Sequence, residues 1–260
     1  MTNGVVNPQQ SVSVQVRGLR KSYHGVEVLH GVSLEIARGE IFVIMGPSGS
    51  GKSVLLKHLI GLETPDAGEI LIEGNPISAE DVTDKYRMAM VFQSGALLNS
   101  LTVGENVGLY LKEHRLKSQA EIDRIVSEKL ELLGLKGVEN KSPSDLSGGM
   151  KKRVAIARAL VIEPQLILYD EPTSELDPVM SATITEIIAT LKEQYHVTSI
   201  VVTHDRDLAF NIADRVAFMM DGRIQGAGTR ADFKSPTDPV IANFLNPVID
   251  LKNPRFKQLE

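Results

Sequence analysis

A glycine-rich segment in the first quarter of the chain combines backbone N–H groups, a lysine and hydroxyls, which are groups that bind phosphate. It consists of Gly46, Pro47, Ser48, Gly49, Ser50, Gly51, Lys52 and Ser53. This G-x-x-x-x-G-K-[ST] pattern follows a buried strand and opens a helix, so Lys52 can reach β- and γ-phosphates while the Ser53 hydroxyl coordinates Mg²⁺. A chance glycine loop is the alternative, which the strand–helix context disfavours.

An apolar segment later in the chain, Leu166–Tyr169, ends in the carboxylates Asp170 and Glu171. The carboxyl ends of parallel strands form the edge where ligands bind in open α/β folds. Asp170 is therefore a candidate Mg²⁺ ligand, and Glu171 a candidate base that polarises an attacking water. The alternative is a solvated acidic turn before Pro172, which a phosphate loop in the same sheet disfavours.

A histidine, His204, closely follows the apolar strand Ser199–Val202 and is expected at the same edge of the sheet as Lys52. A neutral imidazole at this place can contact a γ-phosphate and hold both the water and Glu171 in position. The alternative is a capping or surface histidine, and the strand-end location is the feature that favours the site.

A second candidate anion site is Leu146–Met150, which precedes a predicted helix at Lys151–Ile162. The Ser147 hydroxyl and the N–H groups of Gly148 and Gly149 would lie at the start of that helix. Ser and Gly are ordinary loop residues, so this segment is weak evidence when it is taken alone.

The segments around these residues alternate between strand and helix patterns, which predicts an α/β fold. Predicted strands are Val12–Val16, Leu29–Ile36, Glu40–Met45, Glu69–Glu73, Met88–Phe92, Leu166–Tyr169, Ser199–Val202 and Val216–Met220. Predicted helices include Ser53–Leu62 and Ala182–Gln194, and residues 101–161 are mainly helical, with a capping box at Ser118–Glu121. We expect a core at 11–92 and 160–228, an inserted helical subdomain at 93–159, a disordered tail at 1–10, and a C-terminal helix and tail at 229–260.

The composition of the 260 residues narrows the class of protein further. The net charge of −5 disfavours a general nucleic-acid binder, and the absence of cysteine excludes disulfides and cysteine-ligated metals. No apolar run approaches the roughly 20 residues that cross a bilayer, and residues 1–10 do not resemble a secretory signal. These features predict a cytoplasmic domain.

The chemistry-bearing residues occur in the order of the ATP-binding-cassette (ABC) ATPases. That order is Lys52, Gln93, Ser147, Asp170, Glu171, Asp177 and His204. The resemblance extends from Val12 to Gly228 and implies an ABC cassette, with a mostly parallel sheet, antiparallel N-terminal strands and a helical subdomain. It implies ATP and Mg²⁺ as cofactors, with Ser53, Gln93 and Asp170 near the metal.

The resemblance also implies a role for each matching residue. Tyr23 resembles the aromatic residue that stacks on adenine, and Gln93 the glutamine that links the core to the helical subdomain. Glu171, His204 and Gln93 resemble the catalytic residues. Ser174–Asp177 resembles the loop, called the D-loop, that carries an aspartate to the nucleotide; Ser147, Gly148 and Gly149 resemble the signature.

In this family two cassettes pair head to tail, so the signature of one completes the ATP site of the other. The resemblance therefore implies a homodimer around two ATP molecules that drives a separate membrane permease, at the cytoplasmic face of the inner membrane. Two residues depart from the usual pattern: Met150 stands where Gln is frequent, and Glu175 stands where a small residue is usual. Glu175 adds a carboxylate that either slows turnover or faces the opposing subunit without effect.

Within the family, three segments resemble the Mla or Mkl branch of lipid-transport cassettes: Phe92–Leu98, Leu101–Val107 and Asp238–Leu245. That branch implies phospholipid transport linked to outer-membrane lipid asymmetry, with an MCE substrate-binding protein and a small STAS-type subunit as further partners. We expect the permease groove near residues 93–107, and a C-terminal tail, Asn246–Glu260, that can reach the other cassette.

Three alternative functions fit parts of the sequence. The cassette could drive a solute importer or a lipoprotein or drug exporter instead. An ABC ATPase of chromosomes or ribosomes is disfavoured, because Lys52 and Ser147 are too close in sequence for an intervening long coiled coil and the chain has one cassette. A nucleotide-binding module without turnover is disfavoured by Glu171 and His204.

Overall fold

The computed structural model describes residues 11–78, 85–234 and 236–247. The predicted disordered tail at 1–10 and most of the C-terminal tail, 248–260, lie outside these residues. The strands and helices in chain order are β1 (Val14–Tyr23), β2 (Val26–Ile36), β3 (Ile41–Met45), α1 (Lys52–Leu59), β4 (Ala67–Ile72), β5 (Asn75–Pro76), β6 (Met88–Val91), α2 (Val103–Glu113), α3 (Gln119–Leu132), α4 (Gly148–Leu160), β7 (Leu166–Asp170), α5 (Pro178–Tyr195), β8 (Thr198–Thr203), α6 (Arg206–Ile212), β9 (Arg215–Met220), β10 (Arg223–Thr229), α7 (Arg230–Lys234) and α8 (Pro239–Leu245).

Two sheets form the core, as the family resemblance implies. Strands β2-β1-β4-β5 make an antiparallel sheet, and β10-β9-β3-β8-β7-β6 make a second sheet in which only the β9–β10 pair is antiparallel. In β1 the buried Val14 and Val16 alternate with less buried residues, so one face packs on the core. Strand β3 is buried along its whole length, which explains its continuous apolar sequence.

The predicted helical subdomain contains α2, α3 and α4, which pack on one another. Capping boxes at Thr102 and Ser118 start α2 and α3, the second as predicted. Gly108 allows α2 to approach α3 closely, because a Cβ atom there would lie 2.7 Å from the Ile122 side chain. The three helices share one hydrophobic cluster with the parallel sheet, because Val107, Leu130 and Ile156 belong to the same cluster as Val43 and Tyr169.

Some predicted boundaries are wrong, and each shift has a local cause. Helix α1 ends at Leu59 rather than Leu62, because Gly61 adopts a positive φ of 78° and Leu62 N–H returns to the Lys57 carbonyl. Helix α5 starts four residues early, since Asp177 caps it and Pro178 fits its first turn. Helix α4 similarly starts at Gly148, with Ser147 as its cap.

Candidate active site

The glycine-rich loop connects the buried strand β3 to α1, as its sequence predicts. Two of its glycines are required sterically. A Cβ atom on Gly46 would lie 2.0 Å from the Met219 carbonyl oxygen, and Gly51 adopts a φ of 97° while packing against Leu29. The loop therefore has to come this close to β9 and β2, which fixes the place of the residues that follow.

Lys52 is the first residue of α1 and is only 6% exposed. Its ammonium donates hydrogen bonds to the carbonyl oxygens of Gly46 and Pro47, both at 2.9 Å, and lies 3.9 Å from Glu171 Oε1. Burial lowers the pKa of Lys52, whereas the nearby carboxylates of Glu171 and Asp170 raise it. A cation thus sits at the mouth of the loop, at the edge of the sheet.

The residues of the loop fit a phosphate group and its metal ion. Ser48, Lys52 and Ser53 line one cavity beside the loop, where their hydroxyl and ammonium groups can donate to the oxygens of an anion. Ser53 Oγ donates to Asp170 Oδ1 at 2.8 Å, which places a hydroxyl and a carboxylate together, the oxygen ligands that Mg²⁺ prefers. Burial raises the pKa of Asp170, and the Ser53 hydrogen bond opposes that shift.

Glu171 lies directly beyond β7 and is held from several sides. Its Oε2 accepts hydrogen bonds from Thr203 Oγ1 at 3.2 Å and from His204 N–H at 3.3 Å, and His204 Nδ1 lies 3.0 Å away. Its backbone has a φ of 46°, unusual outside glycine, and its N–H bonds the Val202 carbonyl. The carboxylate is therefore fixed between Lys52 and His204, and its contact with Thr203 is one that no sequence motif predicts.

A cavity of about 310 Å³ contains most of the predicted catalytic groups. Its lining consists of Val28, Ser48, Gly49, Gly51, Lys52, Ser53, Val54, Gln93, Glu171 and His204. Gln93 and His204 thus lie beside the phosphate loop, as expected from the sequence. Val28 was not predicted, because nothing in its sequence context distinguishes it from other strand residues.

Other predicted site residues lie outside the lining of this cavity. Ser147 is exposed and caps α4 by accepting from Met150 N–H, with Gly148 exposed beside it. Asp177 caps α5 through the N–H groups of Val179 and Met180. Ser147, Gly148 and Asp177 therefore do not line the cavity that contains Lys52.

The predicted adenine-stacking residue, Tyr23, ends β1 and is half-buried. Its hydroxyl contacts the Glu63 carboxylate, and the Lys21 ammonium lies 5.5 Å from the centre of its ring. Both contacts are made where β1 ends, at the turn into β2.

A second cavity, of about 400 Å³, lies between the end of β6, α2 and the end of α4. Its lining consists of Ala89, Met90, Leu109, Tyr110, Glu113, His114, Arg158, Ala159 and Ile162. This cavity adjoins the segment 93–107, where the permease groove is predicted. Arg158 makes the connection by donating to the carbonyl oxygens of Gly95 and Ala96.

Comparison with known proteins decides the family. The family model described as "ABC transporter" matches residues 29–174. The chain belongs to this family. It is 41% identical over 239 residues to the "Probable ribonucleotide transport ATP-binding protein mkl" of Mycobacterium leprae (strain TN), covering 90% of this chain and 69% of the relative.

Two further similarities extend the comparison. "Protein TRIGALACTOSYLDIACYLGLYCEROL 3, chloroplastic" of Arabidopsis thaliana is 40% identical, covering 92% of this chain and 75% of that protein. A solved dimeric structure, a post-hydrolysis state of the ATP-binding cassette MJ0796 bound to ADP and Pi, has a TM-score of 0.77 and 34% identity, covering 84% of this chain and 98% of that one. The ABC cassette is thus an ATPase that binds ATP with Mg²⁺, and it is the ATP-binding subunit of a transporter.

Proposed function

We propose that two copies of this chain pair head to tail around two ATP molecules and drive a separate membrane permease that moves phospholipid. The observation that carries the proposal is the division of the site. Lys52, Glu171 and His204 share one cavity, whereas Ser147 and Gly148 are exposed outside it. A second copy could bring its signature to this cavity, and symmetry then makes two equal sites.

The residues of the cavity can each contribute to ATP hydrolysis. Lys52 and the loop N–H groups hold the terminal phosphates, while Ser53, Asp170 and Gln93 would hold Mg²⁺, which stabilises charge on the phosphates. Glu171 Oε1 is positioned to take a proton from water as the water oxygen attacks the γ-phosphorus, and the bond to the leaving ADP oxygen breaks. His204 and Thr203 hold Glu171 in orientation during this step.

The second cavity is the proposed contact with the permease. It combines apolar Leu109 and Ile162 with the rings of Tyr110 and His114, whose centres are 4.2 Å apart. An amphipathic helix of a permease could fill such a groove. Arg158 borders the groove and also binds the segment after Gln93. A permease that displaces the residues lining the groove would therefore also displace the loop of Gln93.

Phospholipid is the substrate that the resemblance to the Mla or Mkl branch favours, and one relative is named for a galactolipid. The alternative is another solute, since another relative is named for ribonucleotide transport. In the lipid system the cassette would lie on the cytoplasmic face of the inner membrane, bound to its permease. Within the described residues, no helix is both long and apolar enough to span a membrane.

Affinity purification of the tagged chain from its own membranes tests this proposal. We expect a permease, an MCE protein and a STAS-type subunit to co-purify, and the complex to transfer labelled phospholipid between vesicles with ATP and Mg²⁺. Co-purification of a permease with a soluble-solute receptor, and no lipid transfer, would replace the lipid assignment with the importer alternative.

A further inference from the structure

Lys152 is a buried cation that the function described so far does not use. It lies one turn after the start of α4 and is only 6% exposed. Lysine is almost never buried to this degree unless its charge and its three donors are satisfied. Its partners therefore indicate what the side chain does.

The Lys152 ammonium meets three different loops at the catalytic edge of the sheet. It donates to the Gln93 carbonyl oxygen, to the Glu171 carbonyl oxygen at 3.3 Å and to Ser174 Oγ at 3.3 Å. Ser174 Oγ in turn donates to the same Glu171 carbonyl at 2.9 Å. One nitrogen thus joins the metal-side loop, the residue proposed as the base and the beginning of the D-loop.

The charges around Lys152 match this position. Burial lowers its pKa, and the carboxylates of Glu175, Asp170 and Glu171 raise it, with Glu175 the largest of the three. Glu175 adopts a positive φ of 64° next to Ser174, a conformation that costs energy in a residue with a side chain. The positive charge of Lys152 offsets the carboxylate that is unusual at position 175.

We infer that Lys152 is a positioning residue that holds the main chain of Glu171, the loop of Gln93 and the D-loop in one arrangement. A shift of any one loop then changes the orientation of the Glu171 carboxylate. Lys152 contacts no reacting atom in this arrangement and acts through Glu171. The inference rests on the proposed role of Glu171 as the base.

The test compares ATP hydrolysis by the full-length chain and its Lys152→Met and Lys152→Gln variants. Loss of a charged donor to three acceptors should lower kcat about tenfold or more in Lys152→Met, with the KM for ATP within about twofold. Lys152→Gln keeps a neutral donor and should recover part of the loss. If Lys152 were merely structural, its replacement would lower the melting temperature without lowering kcat selectively relative to KM.

Lys129→Met is the matched control, because Lys129 is another buried lysine of the helical subdomain. Its ammonium lies 3.6 Å from Glu128 and 5.5 Å from the Tyr195 ring centre, away from the three loops. Its kcat should stay within about twofold of wild type. A folded Lys152→Met variant with wild-type kcat, or an equal loss in Lys129→Met, overturns the inference.

A double-mutant cycle keeps the inference testable if Lys152→Met does not fold. The effects of Lys152→Gln and Ser174→Ala on kcat should be non-additive, because both variants remove the hydrogen bond between Lys152 and Ser174. Additive effects would show that this hydrogen bond does not contribute to kcat. Glu171→Gln, assayed in parallel, separates the two proposals. If Glu171→Gln retains turnover, the assignment of the base fails; if it is inactive while Lys152 variants are not, only the present inference fails.

Discussion

At the scale of single residues, the chemistry depends on how tightly one carboxylate is oriented. Glu171 is 12% exposed, and its Oε2 is occupied by Thr203 and His204, so Oε1 is the oxygen that faces Lys52 at 3.9 Å. An ordered carboxylate with one oxygen directed at the phosphate loop is the geometry that a general base needs.

Replacing Glu171 by Gln should leave ATP binding intact and reduce hydrolysis at least about a hundredfold, because the amide keeps the shape but cannot accept the proton of water. Binding of a fluorescent ATP analogue and release of phosphate measure the two effects separately. Asp207→Asn is the control, since it removes a carboxylate outside the lining of the cavity and should leave both values unchanged. Near wild-type turnover in Glu171→Gln would remove Glu171 from its proposed role.

The site residues that belong to a sequence motif could be predicted. Those whose contacts form only when the chain folds could not. Lys52, Ser53 and Asp170 lie together because a motif and a strand end share one sheet edge. Thr203 and Lys152 gave no such signal, because each is an ordinary residue in a strand or helix. Their contacts arise from packing between segments that are distant in sequence.

At the scale of elements, the helical subdomain is tied to the segment after Gln93 by one buried amide. Asn106 of α2 is fully buried and accepts from Leu98 N–H at 2.8 Å. Its amide N–H groups face the carbonyl oxygens of Leu98, Leu101 and Thr102. The side chain thus closes the loop that precedes α2, next to the groove proposed for the permease.

Asn106→Ala should destabilise the chain by about 2–4 kcal/mol, because it leaves the Leu98 N–H and the Leu101 carbonyl without their partner. The carbonyls of Leu98 and Thr102 keep backbone donors. The loop should also become more protease-sensitive between Leu98 and Thr102. Urea unfolding followed by circular dichroism measures the first effect, and limited proteolysis the second. Asn211→Ala, at an exposed position of α6, should change neither; an equal loss in both variants would contradict this role for Asn106.

Element types were predictable because burial leaves a periodic pattern, whereas element ends depend on backbone details. The capping box at Ser118 and the buried strand β3 follow from local sequence. The end of α1 does not, because an apolar Leu62 continues the helical spacing although the Gly61 turn leaves it 60% exposed. The position of the second cavity likewise depends on how residues after Gln93 fold onto α4.

At the scale of the whole molecule, the residues of the proposed site are divided between a cavity and the exposed surface of one chain. Lys52 lies in the cavity at the sheet edge, and Ser147 is exposed at the start of α4. Val179, which follows the Asp177 cap closely, has an apolar side chain that is 73% exposed. The proposed second copy would cover Ser147, and the solved structure of the similar MJ0796 cassette is dimeric.

A mixing experiment decides whether the sites are shared between two chains. Lys52→Ala should lose ATP binding and Ser147→Arg should block the signature, so each variant alone should be inactive. In a head-to-tail heterodimer of the two, one site carries both defects while the other has an intact Lys52 and an intact Ser147. Mixing therefore should restore ATP hydrolysis to at most about half of the wild-type rate per dimer. If each site lay within one chain, every site in the mixture would keep one defect, and no hydrolysis would return.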